Sequence, residues 1–178
     1  MKIGLVIFAF ITFATLGRAA PDMVSTAIRD IEIGIVCAPD PIGSRPAPNT
    51  IAGITHQIDQ SPKFVSGSQI VPAAIGVGFG ARVQARDVNG IDGVTVVVTH
   101  PPMGDAGTTE QRFESLVSGV SRSFSFYQFD YAYELQPGIW TFAAEHNGKQ
   151  LYHATFEVVA PSTVPGLADI CGYREMLS

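Results

Sequence analysis

The chain has 178 residues, a net charge of −5 and only 15% charged residues against 46% hydrophobic ones. With no Lys/Arg cluster it lacks the basic stripe that binds nucleic acid or anionic lipid. Eighteen glycines and twelve prolines describe a chain of many turns, and the length fits one domain able to bury a core.

Residues 1–19 read as a secretory signal peptide. Lys2 is a short basic start, residues 3–16 are an uncharged apolar run, and Gly17-Arg18-Ala19 puts small residues at −3 and −1 of a cleavage point after Ala19. The run is too short for a comfortable membrane span, and no later run is long enough for one. The expectation is therefore a bacterial exported protein, periplasmic or secreted, with no membrane insertion after cleavage. The mature chain then divides into a lead-in at 20–30, a domain at 31–160 and a tail at 161–178.

Residues 31–37 (IEIGIVC) alternate, placing Ile31, Ile33, Ile35 and Cys37 on one face of a first strand. Residues 38–49 carry four prolines and read as a loop. Moderate strands follow at 51–58 and 64–70. Residues 76–86 (GVGFGARVQAR) set Val77, Phe79, Ala81, Val83 and Ala85 against a second face that includes Gly76, Gly78 and Gly80. These glycines lie within a strand rather than before a helix. They predict a close approach over one sheet face, not a phosphate loop. Residues 93–100 are β-branched and strongly strand-forming, with Pro101-Pro102 breaking the strand. Two more strands are expected at 108–117 and 121–129. Short helices are expected, if anywhere, at 23–29 and 164–174.

The last hairpin carries the clearest pattern. Trp140, Phe142 and Ala144 alternate with Thr141, Ala143 and Glu145. A two-residue Asn147-Gly148 loop would pair His146 with Lys149, put Phe142 opposite His153 and split the aromatics over two faces. Apolar matching therefore favours a three-residue loop, His146-Asn147-Gly148, with Glu145 opposite Lys149, Trp140 opposite Ala154 and Phe142 opposite Tyr152. Eight or nine short strands with turns every 8–12 residues predict an all-β fold, an antiparallel β-sandwich of immunoglobulin-like type.

Cys37 and Cys171 are an isolated pair without C-x-x-C spacing. In an exported chain they read as a disulfide tying the tail to the first strand. His100 and Met103 pair an imidazole and a thioether at i, i+3, ligands that suit Cu(I). A copper site would need a third ligand from His56, His146 or His153. Residues 124–133 (FSFYQFDYAY) hold six aromatics. Phe124, Phe126 and Phe129 fit a buried face, and Tyr127, Tyr131 and Tyr133 fit a contact surface. No G-x-S-x-G elbow appears, and no motif implies a cofactor. Glu110 and Glu114 read as a solvated strand edge.

The segments GIVCAPDPIGSRPAP (34–48), VPAAIGVGFGARV (71–83), DGVTVVVTHPPM (92–103) and LQPGIWTFAA with LYHATFEVV (135–144, 151–159) together resemble the DUF3859 domain family. The resemblance spans residues 31 to 160 and implies a bacterial source and a compact exported domain. It supplies no functional residues. The functional expectation is a non-catalytic binding or accessory module for a protein or glycan partner. Tyr127, Tyr131, Tyr133, His100 and Met103 are its candidate contact residues, with Tyr127, Tyr131 and Met103 expected in one exposed patch. A small copper-binding protein is the alternative, and a hydrolase the third reading.

Overall fold

A computed structural model describes residues 20–37 and 39–171. The expected signal segment, residues 1–19, lies outside that range, as do residues 172–178 of the tail. Twelve strands run through the described residues: β1 Met23–Val24, β2 Ile28–Cys37, β3 Gly43–Pro46, β4 Ile54–Gln57, β5 Phe64–Ser66, β6 Ile70–Pro72, β7 Val77–Ala85, β8 Ile91–Met103, β9 Thr108–Val117, β10 Ser123–Gln128, β11 Gly138–His146 and β12 Lys149–Val159. They exceed the nine read from the sequence because β1 replaces an expected helix, β3 forms inside the proline-rich segment, and residues 64–70 divide into β5 and β6.

One sheet has the order β1-β12-β11-β8-β9, with β6 also joining β12; the second has the order β10-β7-β2-β5. All pairs are antiparallel except β6 with β12. The inward faces of these two sheets interdigitate around Phe79 of β7. Its ring lies 4.7 Å from Phe156 and 5.7 Å from Trp140, both across the sandwich. Ile35, Val77, Val96, Val98, Phe142 and Ala154 close the same core, each fully buried. This is the expected immunoglobulin-like β-sandwich, held chiefly by apolar burial worth about 1.5–3 kcal/mol for each large side chain.

The last hairpin keeps the expected facing of its aromatics by a different device. Asn147 and Gly148 form a two-residue turn, both at positive φ (50° and 71°), so His146 pairs with Lys149. Leu151 is then an extra residue between the pairs Glu145–Gln150 and Ala144–Tyr152. That bulge shifts the register by one, setting Phe142 opposite Ala154 and Trp140 opposite Phe156. The three-residue loop is therefore overturned. The single apolar face of Trp140, Phe142, Tyr152 and Phe156 stands, since all four are buried.

Pro101 and Pro102 do not end β8, which continues to Met103. β11 pairs with β8 only from Thr95 to Thr99, and the β9 ladder is irregular between Thr99 and Met103. The prolines thus sit where no ladder needs an N–H donor. Pro46 in β3 is accommodated similarly. Ala47 donates to Gly53 O at 2.8 Å, which makes the neighbouring Pro46–Ile54 pair a non-bonded one. β3 and β4 pair only with each other, forming a ribbon that stands off both main sheets.

Cys37, at the end of β2, and Cys171 are joined, with Cα atoms 5.3 Å apart. The expected C-terminal helix is realised as Pro165–Ala168 and a 3-10 turn at Asp169–Cys171. Among the described residues no helix is long and apolar enough to cross a membrane.

Candidate functional site

The two main sheets end on the same side of the sandwich at β9 and β10. These edges are not strand-paired to each other and meet through a Ser115–Ser125 hydroxyl contact of 2.9 Å. The β3–β4 ribbon crosses over the gap and is tied down at two places. At its tip, Arg112 N–H donates to Asn49 O (3.0 Å) and Ile51 N–H donates to the Gln111 side-chain oxygen (2.8 Å). On β4, His56 Nε2 lies 3.1 Å from Asp130 Oδ2. Beneath the ribbon lies a cleft of about 320 Å³, walled by Phe113, Glu114 and Ser115 of β9, Phe124 to Gln128 of β10, and Ile54 to Ile58 above. Arg45, Gln111, Asp130 and Glu134 also line it.

Beneath the cleft runs a chain of buried and half-buried polar groups, of which Gln111, Tyr127, Asp130 and Glu134 line it. Pro101 O can only accept, so the His100 Nδ1–H donates to it at 2.8 Å and Nε2 is left as an acceptor. The Gln111 amide fills that acceptor at 3.2 Å and sends its other N–H to the Tyr127 hydroxyl at 3.0 Å. Tyr127 in turn donates to Glu134 Oε1 at 2.7 Å. Glu134 Oε2 accepts from Asp130 N–H and Tyr131 N–H at 2.6 and 2.8 Å. Each proton in the relay has a place, as buried polar groups require.

Burial shifts the ends of this chain in opposite senses. Desolvation holds His100 below the ordinary 6.5, partly offset by its bond to Pro101. It pushes the Glu134 carboxyl up, against the pull of three donors. It also pushes the Tyr127 hydroxyl up strongly, with the Glu134 charge acting in the same direction.

The structure scatters the residues expected to share one exposed patch. Met103 is 3% exposed and His100 5%, so neither belongs to a surface loop. The continued β8 carries both inward, and the His100 ring packs 4.9 Å from Trp140. Tyr127 turns into the core against Phe79, Phe129 and Trp140, while its hydroxyl reaches the cleft floor. Phe124 and Phe126 take the opposite face, beside Phe64. Only Tyr131 is exposed as expected, at 42%; Tyr133 is part-buried and stacks on it at 5.3 Å.

The copper pair fares no better as geometry. Both His100 nitrogens are engaged within the fold, and among the described residues no group of three His, Cys, Asp or Glu side chains could hold a metal. Glu110 and Glu114 lie on β9, where Glu110 pairs with Arg112 at 2.8 Å. Gly78 and Gly80 serve the close approach expected of them. Gly76 precedes β7 in a turn at φ 78°.

Gln111, Glu134 and Asp130 were not legible as site residues, and His56 was read only as a possible third copper ligand. Gln111 carried one signal. On β9 it shares the inward face with Phe113 and Val117, and a polar residue there needs partners.

A family model described as a domain of unknown function, DUF3859, matches residues 24–158. No curated protein matches the chain. Among solved structures, an immunoglobulin-like protein from Pseudomonas aeruginosa matches at 18% identity, covering 82% of this chain and 100% of that one, with a TM-score of 0.49.

Proposed function

The chain belongs to the DUF3859 family, and on that footing we propose that it is an exported, non-catalytic binding or accessory module whose ligand site is the cleft between β9 and β10. One observation carries the reading. A closed, well-packed sandwich keeps an open cleft of about 320 Å³ in which aromatic rings and polar side chains converge, the ordinary makeup of a ligand site. The buried groups beneath it bond one another, so the floor acts as a rigid base rather than as a source of a free acid or nucleophile. Action outside the cytoplasm is supported by the Cys37–Cys171 disulfide, which an oxidising compartment maintains.

Ala52 is exposed on the cleft rim, clear of the core. In amide-resonance titrations with small-molecule and extract fractions from the producing cell, active fractions should shift Phe113 and Phe126. Ala52→Trp, which fills the opening, should abolish those shifts. Responses confined to the opposite face, around Ile139, would sink the reading.

One observation favours a hydrolase as a second reading: the His56–Asp130 pair faces a cleft that Ser115 and Ser125 also line. These two hydroxyls bond each other. A binding module predicts that a fluorophosphonate leaves the protein unlabelled by mass spectrometry. Stoichiometric labelling of either serine would favour the hydrolase.

A further inference from the structure

The walls of the cleft are made of strand edges as much as of side chains. Phe129 N–H donates to Val77 O at 2.9 Å, and Tyr127 stands opposite Phe79 in the same register. Antiparallel ladders alternate, so Ser123, Ser125 and Tyr127 direct their backbone groups to β7. Phe124, Phe126 and Gln128 direct theirs away from it, to the open edge that lines the cleft. On the ribbon, the Ala47–Gly53 bond fixes the same alternation. Thr55 and Gln57 direct their backbone groups to β3, leaving those of Ile54 and His56 turned away from it, with Ile54 O accepting from the Thr50 hydroxyl at 3.4 Å.

We propose that the occupant of the cleft is an extended peptide, a strand supplied by a partner chain, which adds to the open edge of β10. The proposal rests on the cleft being the binding site. Three considerations select a backbone as the ligand. Unpaired donors and acceptors on β10 recur every second residue, about 7 Å apart, the spacing another strand reproduces. Among the described residues, several other edge strands are short or bonded: β1 has two residues, β5 and β6 three each, and β9 is bonded at Arg112 to Asn49 of the ribbon tip. β10 has six residues and no added strand. Proteins ordinarily shield such an edge, and among the described residues the β3–β4 ribbon is what crosses over it. An incoming strand would turn alternate side chains inward to the half-buried Phe113 and outward beside the Phe124–Phe126 ring pair, 5.2 Å apart. Both positions select apolar residues.

The test screens the disulfide-bonded chain against a displayed library of random octapeptides. Enriched peptides should carry apolar residues at alternate positions. They should slow amide exchange at Phe124, Phe126 and Gln128. Both variants lose the ring, and beyond that Phe126→Pro loses an N–H that β7 does not use, so it should bind about tenfold more weakly than Phe126→Ala. Equal binding by these two variants, or unchanged exchange at the three amides, would overturn the proposal. An empty screen would do the same, and a panel of neutral oligosaccharides then separates the two ideas. If the sugars shift the cleft amides, the cleft is still the site and only the peptide assignment falls. If they shift nothing, both fall.

Discussion

Gln111 is the node through which single residues act on the cleft. It spends both amide protons on His100 and Tyr127 and its oxygen on Ile51 of the ribbon tip. It therefore joins the core to the roof of the cleft. His100 makes this arrangement pH-sensitive in a definite direction. Its folded pKa lies below 6.5, so the native state favours the neutral ring, while the unfolded chain takes up a proton first as pH falls. The stabilising contribution is complete above 6.5 and is lost as pH drops through the lower folded value. Glu134, raised in the fold, has the opposite sign: its ionisation opposes folding above its folded pKa, and acid relieves that cost. Urea midpoints of the native chain and of His100→Gln, measured from about pH 7.5 down to about pH 5, isolate the histidine. The native chain should lose stability more steeply than the variant. Parallel curves would show that His100 titrates as freely in the fold as in the unfolded chain.

Among the elements, β7 shows why its alternating pattern contains glycine. A Cβ on Gly80 would stand 2.6 Å from Phe126 Cα and 2.8 Å from Phe126 Cβ, and one on Gly78 2.7 Å from Tyr127 O. Gly34, opposite Gly80 on β2, would place its Cβ 3.0 Å from the Phe64 ring. The glycines let β10 and the aromatic side chains over the outer face come close. Gly80→Ala must displace β10 backbone, not merely the end of a side chain. It should cost about 1–3 kcal/mol by chemical denaturation, and amide exchange in β10 should rise more than in β12. A neutral Gly80→Ala would show that β10 can move aside freely. The ribbon is the other element that matters. Its prolines occupy positions without ladder donors, so it stays a ribbon without joining either main sheet.

At the scale of the molecule, the disulfide joins the end of β2 to the segment that follows β12, across 134 residues. Leu167 and Cys171 pack against the core, so the bond also holds that C-terminal segment on the sandwich. Closing a loop of this size stabilises the fold by about 4–5 kcal/mol in the chain-entropy model. Replacing both cysteines, Cys37→Ser with Cys171→Ser, should lower the unfolding free energy by an amount of that order. Neither cysteine lines the proposed cleft site, so cleft binding should persist in the folded fraction. A double variant as stable as the native chain would mean that the unfolded chain is already compact enough to make the link redundant.

Sequence by itself determined the fold class, most strand positions, the single aromatic face of the last hairpin and the cysteine pairing. Each follows from local alternation, turn residues or the simple count of two cysteines. The tertiary structure decided the rest. Bulges reset register at Leu151 and let β8 run through its prolines, because a ladder tolerates proline wherever no donor is needed. The same continuation of β8 carried His100 and Met103 from an expected surface into the core. The cleft joins Gln111, Tyr127, His56 and Asp130 from β9, β10, the ribbon and the turn after β10. No local pattern links residues so far apart in the chain; only the meeting of two sheet edges under a third element does.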